Sequence, residues 1–162
     1  MANILEKIIS EQNESIKRYK NIFSIKDLKK KISSYNNYIN FKNKLTEKKI
    51  SIIAEIKKSS PSAGVIVEKY DPTIIAKEYL DAGAACLSIL TEEKYFQGKL
   101  EDISDVKKNI NLPILCKDFF LDPFQVYLAK SFGADAILII LSILDGKLAK
   151  EIHVLANELN IS

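Results

Sequence analysis

The chain has 162 residues, 47% apolar and 28% charged, which is enough apolar material for one core and the length of one domain. Its 24 basic residues against 21 acidic ones leave a net charge of only +3, and Arg18 is the sole arginine, so a dedicated reader of nucleic-acid phosphates is excluded. No apolar run reaches the roughly 18 residues of a membrane span, and the opening MANILEKIISEQNES turns charged before a signal-peptide core forms, so a cytoplasmic chain with no membrane partner is expected. Cys86 and Cys116 lie in separate apolar runs with no CxxC pair and one histidine in the chain, which predicts two buried, reduced thiols and no metal site.

Residues 1–49 read as a helical extension. Ile4, Leu5, Ile8, Ile9, Ile16 and Tyr19 recur at helical spacing, and Ser24 to Asp27 opens a second amphipathic run. Tyr35, Tyr38 and Phe41 form an apolar stripe that would dock this extension, while Lys29 to Lys31 and Lys48-Lys49 read as solvated surface. From residue 50 to 162 the pattern becomes short Ile- and Leu-rich runs, each followed by a turn and a helical period. The predicted strands are 50–56, 85–91, 112–117 and 134–141. Strand alternating with helix implies a parallel α/β sheet.

Helix punctuation repeats in this part. Asp71-Pro72 and Asp122-Pro123 supply two helix starts, and Gly83 and Gly133 supply the matching ends. No GxGxxG follows a strand, so the repeat points to a (β/α) barrel rather than a dinucleotide fold. The length from residue 50 onward holds about four βα units, against eight in a closed barrel of about 250 residues, so about half a barrel is expected.

Alternation along strand 50–56 puts Ile52, Ala54 and Ile56 on one face and Ile53, Glu55 and Lys57 on the other. Leu115, Lys117 and Phe119 share a face on the third strand, opposite Ile114 and Cys116. One carboxylate and two ammoniums are thereby predicted at the C-terminal end of a parallel sheet, where barrels place their chemistry. The competing reading is a structural ion pair in the lumen. His153 falls in the last helix, away from every strand end.

Three segments together, IIAEIKKSSPSAGVI (Ile52 to Ile66), LTEEKYFQG and CKDF, resemble the indole-3-glycerol-phosphate synthase family of tryptophan biosynthesis, and the likeness extends over essentially the whole chain. The resemblance implies the first part of a TIM (β/α)8 barrel behind an N-terminal helical extension. It also implies the ring-closing decarboxylation and dehydration of a phosphorylated small molecule, 1-(2-carboxyphenylamino)-1-deoxyribulose 5-phosphate, with no metal and no organic cofactor. On that resemblance Lys117 is the general acid at the ribulose carbonyl, Lys57 contacts the anionic substrate and moves protons, and Glu55 lies near the anthranilate nitrogen. Ser60 and Pro61 match the loop after the first strand, with a mere loop-capping serine as the alternative. Phe96, Phe119 and Leu138 match the slot for the aromatic ring, with helix packing as the alternative for Leu138. The family's second carboxylate, its substrate-ordering Asn and its phosphate loops would lie beyond residue 162. Turnover by these residues alone is therefore not expected, and self-association through open barrel edges is. A Schiff-base aldolase-like barrel and a non-catalytic half-barrel that pairs with another chain are the alternative readings.

Overall fold

A computed structural model describes residues 3–35 and 37–162. Three helices come first: α1 (Ile4–Ile22), α2 (Ile25–Ser33) and α3 (Phe41–Thr46). Each begins on a polar cap. Asn3 and Glu6 exchange side-chain and backbone hydrogen bonds in a capping box, Ser24 accepts from the Asp27 amide, and Asn40 accepts from the Asn43 amide.

Four strands then alternate with helices: β1 (Ile53–Ile56), α4 (Pro72–Asp81), β4 (Cys86–Leu90), α5 (Leu100–Asn109), β5 (Ile114–Lys117), α6 (Phe124–Ser131), β6 (Ala136–Ile137) and α7 (Gly146–Glu158). A small antiparallel hairpin, β2 (Ser59–Ser60) with β3 (Gly64–Val65), interrupts the first unit. All pairings in the main sheet are parallel, in the order β1-β4-β5-β6, with Glu55 opposite Ser88 and Leu90 opposite Lys117. This is the α/β architecture of a partial (β/α)8 barrel. The predicted helix ends hold: Asp71 caps the amides of Thr73 and Ile74 ahead of Pro72, Asp122 takes the Phe124 amide, and Gly83 and Gly133 adopt φ of +89° and +102°.

The core lies between sheet and helices. Ile56, Leu87, Ile89, Ile114, Cys116 and Ile137 face it from the strands and meet Ile103, Val106, Val126 and Ile152 from the helices. A smaller cluster sits on the other face of the sheet, where Phe41 and Leu45 of α3 cover Cys86, Leu115 and Ala136. Helix α3 thus floors the lumen near the N-terminal ends of the strands. Cys86 and Cys116 are buried free thiols, and burial pushes Cys86 up to about 11 and Cys116 higher still.

The linker before α3 is locked from below. Tyr38 donates its hydroxyl to the Lys130 carbonyl (2.8 Å), and the Lys130 ammonium lies 3.3 Å from the centre of the Tyr38 ring. Asp135 accepts the amides of Ile39 (2.7 Å) and Ile114 (2.8 Å) and pairs with the buried Lys107 ammonium at 2.5 Å. The expected docking role of Tyr38 and Phe41 is what these contacts provide. Of the lysine run, Lys29 lies over Tyr127 and Lys31 over Phe132, so both stems help seat α2 on α6.

The expected strands are all longer than those observed: 85–91 narrows to Cys86–Leu90 and 112–117 to Ile114–Lys117, and the other two shorten further. Residues 50–52 precede β1; Ile50 and Ile52 are exposed, and the Ile52 carbonyl accepts the amides of Ala85 and Cys86 at the start of β4. The run predicted as 134–141 pairs with β5 only at Ala136–Ile137, and the chain then leaves the strand for a 3-10 turn at Leu141–Ile143, where the Ile140 carbonyl accepts the Ile143 amide at 3.2 Å. On its other side β6 is met by Ser162. The Ser162 amide donates to the Asp135 carbonyl (2.9 Å) and its carbonyl accepts the Ile137 amide (3.0 Å), a parallel bridge centred on Ala136.

Candidate active site

Strand alternation delivers the predicted charges to one place. Glu55 on β1 and Lys117 at the end of β5 face the lumen across the intervening β4, and Lys57 follows β1 by one residue. The Glu55 carboxylate bridges both ammoniums: Lys57 Nζ donates to Oε1 at 2.6 Å, and Lys117 Nζ donates to Oε2 at 2.7 Å. The three side chains are about one-third exposed, at 32%, 30% and 38% for Glu55, Lys57 and Lys117, so this is an open mouth. Burial alone would raise the Glu55 carboxyl, but hydrogen bonds from Lys117 and Lys57 and their charges outweigh it and hold the group below its usual range.

An apolar wall stands beside the charges. A pocket of about 150 Å³ is lined by Glu55, Lys57 and Lys117 together with Phe96, Phe119 and Leu138. The Phe96 and Phe119 rings are 6.4 Å apart and tilted by 40°. Leu138 thus lines the mouth instead of packing under a helix. Leu90, Asp118 and Ile140 complete the lining and were not singled out from sequence, although the period-2 pattern through Leu138 already carries Ile140 to the same face.

Ser60 and Pro61 are not brought into this pocket. Ser60 ends β2 and Pro61 opens the turn of the β2–β3 hairpin, and Ser60 Oγ accepts the Ala63 amide at 3.2 Å, the loop-capping role. The hairpin still touches the mouth through its neighbour: the Ser59 amide donates to the Phe96 carbonyl (3.2 Å), and its hydroxyl donates to the Tyr95 carbonyl (3.1 Å). His153 is exposed beside Asn157, far along α7. Among the described residues, no cluster of three His, Cys, Asp or Glu is placed to hold a metal ion, and no helix is long and apolar enough to cross a membrane.

The family model for indole-3-glycerol phosphate synthase matches residues 5–162. The chain belongs to the indole-3-glycerol phosphate synthase family. Curated relatives of that name include one from Prochlorococcus marinus (strain AS9601), 47% identical over 144 residues, which are 88% of this chain and 49% of that protein. The relative from Trichodesmium erythraeum is 38% identical over 162 residues, 99% of this chain and 54% of that protein. A third, from Rippkaea orientalis, is 41% identical over 147 residues, 90% and 50% of the two chains. The chain therefore spans about half the length of the curated indole-3-glycerol phosphate synthases it matches.

Proposed function

We propose that these residues form the acid-bearing half of an indole-3-glycerol-phosphate synthase, a carbon-carbon lyase that closes the indole ring in the cytoplasm. The observation that carries this reading is the Glu55 carboxylate holding two ammoniums at the mouth of a parallel sheet in a chain of this family. A substrate with a carboxylate and a phosphate is drawn to a mouth where two cations outnumber one anion. The aryl ring enters between Phe96, Phe119 and Leu138. Lys117 then gives a proton to the ribulose carbonyl oxygen as the ring carbon attacks the carbonyl carbon, so that the new C–C bond forms without a free alkoxide. Loss of CO2 restores the aromatic ring, and a second protonation then lets the hydroxyl leave as water while a base removes the proton from the carbon beside the nitrogen, which completes the indole. Lys57 and Glu55 hold the anionic groups and the nitrogen in line and relay protons, and no metal or organic cofactor is required for these steps.

We further propose that turnover needs the other half of the barrel. The test joins residues 1–162 to the C-terminal half of the Prochlorococcus relative and follows indole-3-glycerol phosphate by its fluorescence. Lys117→Ala is expected to lower kcat at least about 100-fold, the usual scale for a general acid. An unchanged kcat would remove Lys117 from the role.

A further inference from the structure

The loop between β4 and α5 is folded around a carboxylate that has no cation. Glu92 is 3% exposed, and among the described residues no lysine or arginine pairs with it. Its partners are all backbone amides: Oε2 accepts from Tyr95 (2.7 Å) and Phe96 (3.0 Å), and Oε1 accepts from Lys94 (3.1 Å). Its own carbonyl accepts the Gly98 amide at 3.0 Å. A buried carboxylate without a counter-ion is costly unless several donors converge on it, and three successive N–H groups do so here. The next residue, Glu93, turns the other way and pairs with Arg18 and Tyr19 of α1.

The loop has little freedom to choose another shape. Gln97 sits at φ +52°, and a Cβ on Gly98 would stand 2.1 Å from the Leu90 carbonyl oxygen. Phe96 is consequently gripped at both ends of its backbone, the amide by Glu92 and the carbonyl by Ser59. That grip sets its ring against Phe119 at the mouth.

We propose that Glu92 is a positioning residue, whose buried carboxylate folds the 92–98 loop so that Phe96 stands as one wall of the aryl slot. Its importance for binding rests on the reading of that slot given above, whereas the placement of Phe96 can be tested without substrate. Glu92→Gln keeps one oxygen for the Tyr95 and Phe96 amides and turns an amino group toward the Lys94 amide. Glu92→Ala removes every acceptor.

The experiment compares the labelled 1–162 chain with both variants by amide hydrogen exchange and by ring-to-ring nuclear Overhauser contacts. In Glu92→Ala the amides of Lys94, Tyr95 and Phe96 are expected to exchange at least about tenfold faster, and the Phe96–Phe119 contact to disappear, while Ile89 and Cys116 stay protected. In Glu92→Gln the loss is expected at Lys94 alone, with the ring contact retained. Unchanged loop exchange and ring contact in Glu92→Ala would overturn the proposal. If the alanine variant does not fold, the glutamine variant decides: loss confined to Lys94 supports positioning, and uniform loss through β4 and β5 overturns it. Anthranilate serves as the binding probe in the same samples, with an affinity about tenfold weaker in Glu92→Ala and restored in Glu92→Gln. Failure of the unaltered chain to bind anthranilate counts against the slot, while the exchange and ring-contact results still decide the role of Glu92.

Discussion

Lys117 and Asp118 are consecutive, and strand alternation parts them: the ammonium goes to Glu55 in the mouth, and the carboxylate receives Thr91 Oγ1 (2.6 Å) and Gln12 Nε2 (2.8 Å) toward α1. A small cavity of about 20 Å³ lies behind it, edged by Gln12, Tyr19, Thr91 and Gln125, large enough for roughly one water. Burial pushes Asp118 up to about 7 against the hydrogen bonds from Thr91 and Phe119, with the charges of Glu92 and Glu93 adding to the rise. An acid whose folded pKa exceeds its unfolded value of about 3.9 binds more protons in the native state, so its contribution to stability falls as pH rises from about 4 to 7. Glu55 acts in a different window: its stabilisation is present above the unfolded carboxylate pKa and is lost as pH falls through its depressed folded value. Asp118→Asn is therefore expected to gain stability relative to the unaltered chain between pH 4 and 7, with the difference constant above that. Urea unfolding midpoints measured across this range check the sign; parallel curves would refute it.

At the scale of elements, the loop after β4 is constrained most tightly at Gly98, where any side chain meets the Leu90 carbonyl carbon at 2.7 Å as well as its oxygen. Gly98→Ala forces the loop off its path and is expected to cost about 1–3 kcal/mol, the range for overpacked sites, which thermal or urea unfolding reads directly. Little of this constraint was legible beforehand. The centres of β1, β4 and β5 were, because buried Ile and Leu runs and the Asp-Pro and Gly punctuation are local signals. So were the inward faces of Glu55, Lys117 and Phe119, which follow from a period of two. The brevity of β6 was not, since pairing depends on where β5 stops and not on how apolar residues 138–141 are. The capture of loop amides by Glu92 and the knot of Asp135 with Lys107, Ile39 and Ile114 were equally hidden. The Glu92 contacts are local but leave no period, and the partners of Asp135 are chosen by tertiary proximity across as many as 96 residues.

For the whole molecule, the two most exposed large apolar side chains among the described residues lie at the two margins of the sheet. Ile50 is 81% exposed, with Ile52 and Ile53 beside it at the β1 margin, and Leu141 is 72% exposed beyond β6. Among the described residues β1 has a strand neighbour on one side only, and an unpaired edge flanked by isoleucines is a template for association. Purified 1–162 is expected to sediment as dimers or larger species at micromolar concentration. A monodisperse monomer that binds no hydrophobic dye would contradict this.

The docking of the extension also sets an order of events during synthesis. Gln12, Tyr38 and Ile39 find their partners 106, 92 and 96 residues later, at Asp118, Lys130 and Asp135. At the ribosome's pace of about 5–20 residues per second, these three contacts wait several seconds for their partners. Early in that interval α1 and α2 have only their caps and short-range pairs for support, until Cys86 follows Phe41 and Glu93 becomes available to Arg18 and Tyr19. The segment made first is thus among the last to settle, and a chain arrested before Lys130 would leave its floor helix on Cys86 and Leu115 without the Lys130 and Asp135 contacts that lock the linker before it.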